Sequence, residues 1–185
     1  MSPRGLLERL VDFERRVRRM YLKLGDRAEF PAEVRFFWNC MAEDERHHVA
    51  ILERSAGLLD LRELLSQISE ETLAAVEAKV TTAEAAIERS DLSSDAALGQ
   101  AIILEGSELN RLDEEWFRGF RPTLGALLQA MSPEEEVHIR RLVEAVHAFS
   151  SDKALQQQVA ALWSAYQQQK QGHALKNASP SKDHF

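Results

Sequence analysis

Residues 41–52 of this chain read MAEDERHHVAIL, and their spacing decides how the surrounding sequence is interpreted. Met41, Glu45, His48 and Leu52 recur at intervals of three and four residues, so a helix would place them on one face. A carboxylate and an imidazole therefore lie within an apolar stripe. Ionisable groups in such a position are costly unless they have partners. The segment predicts a helix that carries a polar site towards the core.

The Glu-x-x-His spacing of this segment occurs again at Glu135 and His138. Each pair follows a glutamate within the apolar stripe of an earlier predicted helix, Glu14 for the first pair and Glu105 for the second. The intervals match, at 31 residues from Glu14 to Glu45 and 30 from Glu105 to Glu135. Four carboxylates and two imidazoles are the ligand set of two-metal carboxylate sites in helical proteins. The duplicated pattern therefore predicts one centre for two metal ions.

His47 competes with His48 for the ligand position, because Asp44 and His47 have the same three-residue spacing. We favour His48, since it shares a helical face with Met41 and Glu45.

The chain's single cysteine, Cys40, excludes an internal disulfide and any four-cysteine metal site. We assign this thiol no catalytic role, and a reducing cytoplasm is the location that we expect.

Helical periodicity extends over most of the chain, while 8 glycines and 5 prolines leave little room for a turn-rich β architecture. The predicted helices are A over 6–24, B over 31 to about 57, C over 94 to about 119, and D over 133–149. Another helix is predicted within a long crossover between B and C, and a last one after residue 152. We therefore predict an all-α protein, built as an antiparallel four-helix bundle with a helical B–C crossover and an extra C-terminal helix.

Local signals predict where these helices start and stop. Gly25 is a stop signal after helix A. Ser93, Ser94 and Asp95 offer N-cap chemistry to helix C, and Ser151 or Asp152 could cap the last helix. Ser132 followed by Pro133 predicts the start of helix D. We expect residues 1–171 to form one domain and the polar residues 172–185 to form a disordered tail.

Composition excludes several functional classes. A net charge of −7 argues against a nucleic-acid binder, which must neutralise phosphates with clustered lysines and arginines. The arginines within residues 15–19 are interpreted as a solvated helix face. No stretch approaches the roughly 20 apolar residues that span a bilayer, and residues 1–5 lack the apolar run of a signal peptide. We expect neither membrane insertion nor export.

The duplicated pattern of a glutamate followed by Glu-x-x-His resembles the rubrerythrin branch of the ferritin-like di-iron carboxylate superfamily. In that branch, a glutamate on one helix and Glu-x-x-His on the next are repeated on the third and fourth helices. The resemblance covers roughly residues 6–149 and includes the acidic run at 42–48. It also includes Leu52 and Leu142, each four residues after a proposed ligand histidine. The resemblance implies a ferritin-like fold around two iron ions, with manganese or zinc as alternative metals.

The resemblance also implies roles for individual residues. The metal ligands, which are also the catalytic residues, would be Glu14, Glu45, His48, Glu105, Glu108, Glu135 and His138. Among them we expect Glu105 to be a bridging ligand. Glu108 corresponds to an additional family ligand, although a solvated glutamate is an equally weighted interpretation. Tyr21 corresponds to a family tyrosine that hydrogen-bonds a carboxylate, whereas Asp113 stands where a second tyrosine would be expected.

The function that the resemblance implies is a non-haem di-iron oxidoreductase that reduces peroxide or dioxygen. The family's four-cysteine rubredoxin-type domain is missing here, so a separate electron-donor protein would be needed. Two alternatives stay open: a ferroxidase or iron-handling protein, and a helical protein that holds metal without redox turnover. Aromatic residues on more than one face of helix B predict a homodimer.

Overall fold

The computed structural model describes the backbone of residues 3–55, 69–116 and 122–177. Side chains are described for the same ranges except residues 3, 55, 108–116, 122–134, 169 and 172–177. The helices are α1 (Pro3–Gly25), α2 (Ala32–Ser55), α3 (Glu70–Ile87), α4 (Ser94–Trp116), α5 (Pro122–Phe149) and α6 (Lys153–Asn177). Since the described ranges contain no strand, the all-α prediction is confirmed for them. None of these helices combines the length and apolar character needed to cross a bilayer.

Helix α1 ends at Gly25, the residue predicted as its stop signal. The backbone of this glycine is not left-handed, so it does not act through the usual C-terminal glycine conformation. A Cβ atom at position 25 would lie 2.8 Å from Oδ1 of Asn39 on α2. Glycine therefore leaves room for the side-chain amide of Asn39, which approaches from α2.

Two of the candidate N-cap residues, Ser93 and Asp152, are confirmed at later helix starts. The Ser93 hydroxyl accepts a hydrogen bond from the backbone N–H of Ala96, at 3.1 Å. The Asp152 carboxylate accepts one from the backbone N–H of Ala154, at 2.7 Å. Both side chains satisfy backbone donors that a helix leaves unpaired in its first turn.

Helix α6 then continues to Asn177, beyond the residue where we expected the polar tail to begin, and residues 178–185 lie outside the described chain.

The start predicted for helix D is wrong. We expected that helix to begin at Pro133 with Ser132 as its cap, whereas α5 is already helical from Pro122. Residues 124–131 are rich in leucine, alanine and methionine, whose high helix propensity extends the helix towards its N-terminus. Pro133 consequently lies inside α5, at a position where its nitrogen cannot donate an intrahelical hydrogen bond.

Helices α1 and α2 form an antiparallel pair. Near the loop that joins them, Tyr21 of α1 stacks on Trp38 of α2 with 5.5 Å between ring centroids. Further from the loop, Arg15 lies 2.5 Å from Glu53. Earlier residues of α1 therefore contact later residues of α2, as expected for an antiparallel pair. This pairing brings the middle of α1 beside the Glu-x-x-His segment of α2.

Helices α2 and α5 are also antiparallel. Phe37 contacts Phe149, with ring centroids 6.3 Å apart, and Asp44 contacts His138 nearer the start of α5. Helix α4 packs against α3, α5 and α6, and apolar side chains from all six described helices form one buried cluster. The two Glu-x-x-His segments therefore face each other across the core.

The predicted crossover helix corresponds to α3, which lies along α1. Arg16 of α1 is only 12% exposed and reaches three side chains on successive turns of α3, Glu77, Thr81 and Glu84. Its Nη2 atom lies 2.7 Å from Glu84 Oε2 and 2.9 Å from Thr81 Oγ1. These contacts attach the crossover to the face of α1 that points away from Glu14.

Candidate metal centre

Side chains from four helices meet at one place in the core. Glu14 comes from α1, Glu45 and His48 from α2, Glu105 from α4, and Glu135 and His138 from α5. The two histidine rings lie 5.4 Å apart, edge to face. The structure thus brings together all six residues of the duplicated pattern, and their role as metal ligands stays a prediction.

One group of possible ligand atoms surrounds His48. Its Nδ1 atom lies 3.3 Å from Glu45 Oε2 and 3.6 Å from Glu14 Oε2. Glu14, Glu45 and His48 each offer one ligand atom, and these atoms lie within 4.8 Å of one another. Glu135 approaches the other ring nitrogen, with its Oε2 atom 3.5 Å from His48 Nε2. This group combines two possible oxygen ligands and one possible nitrogen ligand for a metal ion.

A second group surrounds His138 and includes Glu45 again. His138 Nε2 lies 3.0 Å from Glu105 Oε1 and 3.3 Å from Glu45 Oε1. Glu45 thus directs one oxygen towards each histidine, and it belongs to both groups of possible ligands. We expected Glu105 to bridge, but in this geometry the shared position is held by Glu45, because α2 lies between α1 and α5.

The hydrogen bonding of the site fits a bound cation. Four of its buried atoms make no hydrogen bond of suitable geometry among the described residues, although charged neighbours lie close: Glu14 Oε2, Glu45 Oε1, His48 Nε2 and His138 Nε2. Buried polar atoms nearly always have partners, so four unpaired atoms in one cluster need an explanation. Carboxylate oxygen and imidazole nitrogen are good ligands for iron, manganese and zinc. The residues present therefore fit two divalent ions of this kind.

The protonation of the cluster supports the same conclusion. Burial raises the pKa of Glu45 well above its usual value, and the charge of Glu14 raises it further. Burial alone would lower the pKa of His48, but Glu14 and Glu45 raise it well above 6.5. Burial would likewise lower the pKa of His138, whereas Glu105 and Glu45 raise it well above that value. In the metal-free cluster, protons therefore supply positive charge that metal ions would replace.

A carboxylate that the sequence reasoning did not assign to the site fixes the ring of His138. Asp44 Oδ2 lies 3.2 Å from His138 Nδ1 and also accepts a hydrogen bond from Arg141. Burial would raise the pKa of Asp44, but the hydrogen bonds from His138 and Arg141 lower it. With Nδ1 facing this carboxylate, Nε2 points towards Glu45 and Glu105, as in carboxylate–histidine–metal arrangements. The position of Asp44 directly before Glu45 was the available signal.

A tyrosine supports the same side of the site. Tyr21 is buried, and its hydroxyl donates a hydrogen bond to Glu105 Oε1. Glu105 is thus the carboxylate partner that the family resemblance implied for this tyrosine. The Tyr21 ring is held in turn by its stacking on Trp38, which is fully buried.

Two other predicted positions have different outcomes. His48 lies in the site, whereas His47 is 45% exposed and approaches Glu43 at 3.7 Å. This placement favours His48 over His47, and its role as a metal ligand stays a prediction. The side chain of Glu108 lies outside the described residues, and its assignment as an additional ligand stays a prediction.

No protein-family model matches the sequence, and no curated protein or solved structure matches the chain. The functional interpretation therefore depends on the residues and geometry of the site.

Proposed function

We propose that this chain is a non-haem di-iron oxidoreductase of the rubrerythrin-like type, which reduces peroxide or dioxygen. The observation that carries the proposal is the shared position of Glu45, whose two oxygens face His48 and His138 at 3.3 Å each. A carboxylate placed in this way favours two adjacent cations over a single one. The corresponding fold would be a ferritin-like antiparallel four-helix bundle of α1, α2, α4 and α5, with α3 as crossover and α6 appended.

The proposed ligands divide into two sides that differ in exposure. Glu14 is 14% exposed, and with Nδ1 of His48 it would hold the outer ion. Glu135, 20% exposed, lies on the same side of the site at the other ring nitrogen of His48. Glu105 and His138 are 2% and 0% exposed and would hold the inner ion. We infer that a small oxidant approaches from the outer side. Glu45 would serve both ions, with Glu108 as the additional ligand implied by the family resemblance.

When bound, two Fe(II) ions would supply the two electrons that, with two protons, convert one hydrogen peroxide into two waters. The residues of the chain would bind and orient. Asp44 holds the His138 ring, and the Tyr21 hydroxyl holds Glu105, so both inner ligands have fixed positions. Buried side chains such as Ile102 and Leu142 would keep bulk water from the inner side.

Anaerobic iron loading followed by separate addition of the two oxidants tests this function. Metal-free protein is loaded with Fe(II), dialysed, and mixed with hydrogen peroxide or with dioxygen, while remaining Fe(II) and peroxide are both quantified. We expect two Fe(II) per chain and one peroxide consumed for every two Fe(II) oxidised. Bound Fe(II) that stays reduced with hydrogen peroxide and also with dioxygen would overturn the proposal.

The same experiment separates the two alternatives. A ferroxidase or iron-handling protein would continue to oxidise added Fe(II) beyond two ions per chain and would release or store the ferric product. A non-redox metal protein would retain zinc or manganese and leave Fe(II) unoxidised. Metal analysis of protein purified from its native host would identify the ion bound in the cell. A separate electron donor, a homodimeric state and a cytoplasmic location stay predictions.

A further inference from the structure

An apolar groove of about 530 Å³ runs along the surface between α2 and α5. Its walls include Phe36, Phe37 and Cys40 from α2 and Ala145, Ala148 and Phe149 from α5. Phe36 is 70% exposed, the largest value among the large hydrophobic side chains in the described part of the chain. Large exposed aromatic side chains beside a groove are typical of protein interaction sites.

One line of hydrogen bonds connects this groove to the metal centre. Arg141 lines the groove, and its Nη1 atom donates to the backbone oxygen of Cys40 at 3.3 Å and to Asp44 Oδ2. Asp44 Oδ2 lies 3.2 Å from His138 Nδ1. Two side chains therefore separate the groove from a proposed ligand of the inner ion.

A line of aromatic rings forms a second connection. Phe37, in the groove wall, contacts Trp38 at 4.6 Å between centroids, and Trp38 stacks on Tyr21 at 5.5 Å. The Tyr21 hydroxyl donates to Glu105. Both connections end on the inner side of the site, since Glu105 Oε1 lies 3.0 Å from His138 Nε2. Electron tunnelling through protein is fastest along short paths of bonded, hydrogen-bonded and packed groups.

The charge at the groove restricts what could occupy it. Glu33 and Glu144 line the groove, are exposed, and have no ion-pair partner among the described residues. Arg141 also lines the groove, but its charge is compensated by Asp44. The rim is therefore acidic, in a chain with a net charge of −7. An apolar protrusion surrounded by lysine or arginine side chains would complement this surface.

We propose that this groove is the docking site of the electron donor, a redox protein whose apolar contact patch is surrounded by basic side chains. This docking proposal rests on the proposed function, because the docked donor would pass its electrons to the inner iron ion. Two donor molecules would each pass one electron, converting two Fe(III) to two Fe(II) as both donors are oxidised. The outer side of the site stays free for peroxide.

Calorimetric titration of the metal-free chain with zinc-substituted cytochrome c, a basic redox protein, tests the surface without iron. We expect binding that weakens as salt concentration rises and that Phe36→Ala weakens by about tenfold. Phe36 is 70% exposed, so this change leaves the fold intact. The matched control is Ile103→Ala, which removes another exposed hydrophobic side chain, 47% exposed, from α4 and should leave affinity unchanged.

A charge-reversal pair tests the acidic rim. Glu33→Lys combined with Glu144→Lys should weaken binding of the same probe by at least about tenfold, while Glu71→Lys, an exposed site on α3, should have little effect. Absence of binding by the unmodified chain, or equal losses in the control variants, would overturn the proposal. A change from dimer to monomer on Phe36→Ala, with probe binding unaffected, would assign the groove to a second copy instead. Failed iron loading would overturn the proposed function and with it the donor's redox role. Because these titrations use metal-free protein, probe binding would still show separately whether the groove is a docking surface.

Discussion

Oδ2 of Asp44 lies 3.2 Å from Nδ1 of His138, so a carboxylate on α2 holds the ring of a histidine on α5. The contact links two helices across the core at the level of the candidate metal centre. It also determines which ring nitrogen of His138 faces Glu45 and Glu105. A residue outside the duplicated pattern thus controls the geometry of a residue within it.

Asp44→Asn should weaken binding of the inner metal ion by about 10- to 100-fold, because the His138 ring loses its charged partner. The amide is close in size to the carboxylate, so the packing of α2 against α5 should be retained. Competition with a chromophoric zinc chelator measures the affinity. Glu43→Gln, one residue earlier and exposed, is the matched control and should bind as the unmodified chain does. Equal affinities for the two variants would contradict the role of Asp44.

Glu45→Gln should reduce the number of tightly bound ions from two to at most one, since both groups of ligands lose a shared anion. Glu14→Gln should leave the inner ion in place, and Glu105→Ala should leave only the outer one. Equilibrium dialysis followed by elemental analysis measures these ratios. Retention of two ions by Glu45→Gln and by Glu105→Ala would show that the ligands are assigned wrongly.

The same Glu45→Gln change should stabilise the metal-free protein. Burial and the neighbouring charge of Glu14 disfavour the ionised form of Glu45, as its raised pKa shows, and the neutral amide avoids that penalty. A gain of about 1 kcal/mol would raise the melting temperature by roughly 3 °C in a chain of this size. Circular dichroism of chelator-treated protein provides the comparison. A lower melting temperature would contradict the view that the buried Glu45 carboxylate destabilises the metal-free protein.

Metal-free stability should fall as pH rises from about 5 to 8. The pKa values of Glu45 and Glu135 are raised by burial, and those of His48 and His138 are raised by neighbouring carboxylates. The stabilisation from each proton is complete below the unfolded pKa, 4.5 for glutamate and 6.5 for histidine, and is lost as pH rises through the folded value. Melting temperatures of chelator-treated protein measure this slope.

With zinc bound, the opposite trend is expected over the same range. Metal ions bind deprotonated carboxylates and neutral imidazoles, so affinity and the associated stabilisation rise with pH. The gap between the melting temperatures with and without zinc should therefore widen from pH 5 to 8. Glu14 and Asp44 have lowered pKa values, so their contributions change only in more acidic solution. A constant gap would argue that these residues do not bind the metal.

Arg16→Ala should destabilise the protein by about 1–2 kcal/mol. Arg16 is only 12% exposed and loses charged hydrogen bonds to Glu77 and Glu84, but these partners are 44% and 35% exposed, which weakens each pair. Chemical denaturation measures the free energy of unfolding. Arg15→Ala is the matched control: Arg15 and Glu53 are 55% and 50% exposed, and this pair should contribute under about 1 kcal/mol. Both variants should retain full metal stoichiometry, and a loss of metal by Arg16→Ala would mean that the crossover also shapes the site.

Local patterns predicted the helices well where burial and capping agreed. The stop at Gly25 and the caps at Ser93 and Asp152 lie where the sequence indicated, because each signal acts within one turn of its own helix. The start signal at Ser132 and Pro133 failed, since a good N-cap cannot prevent a helix when the preceding residues favour helix themselves.

The sequence by itself determined which residues could form a metal centre. Helical spacing places a carboxylate three residues before each histidine, and a buried charge among leucines requires a partner, so Glu45, His48, Glu135 and His138 were recognisable. Only the tertiary structure decided how they meet. The antiparallel contacts of α2 with α1 and α5 give Glu45 the shared position and bring Asp44 behind His138. Such contacts join residues far apart in the chain, and helical periodicity carries no information about distances between helices.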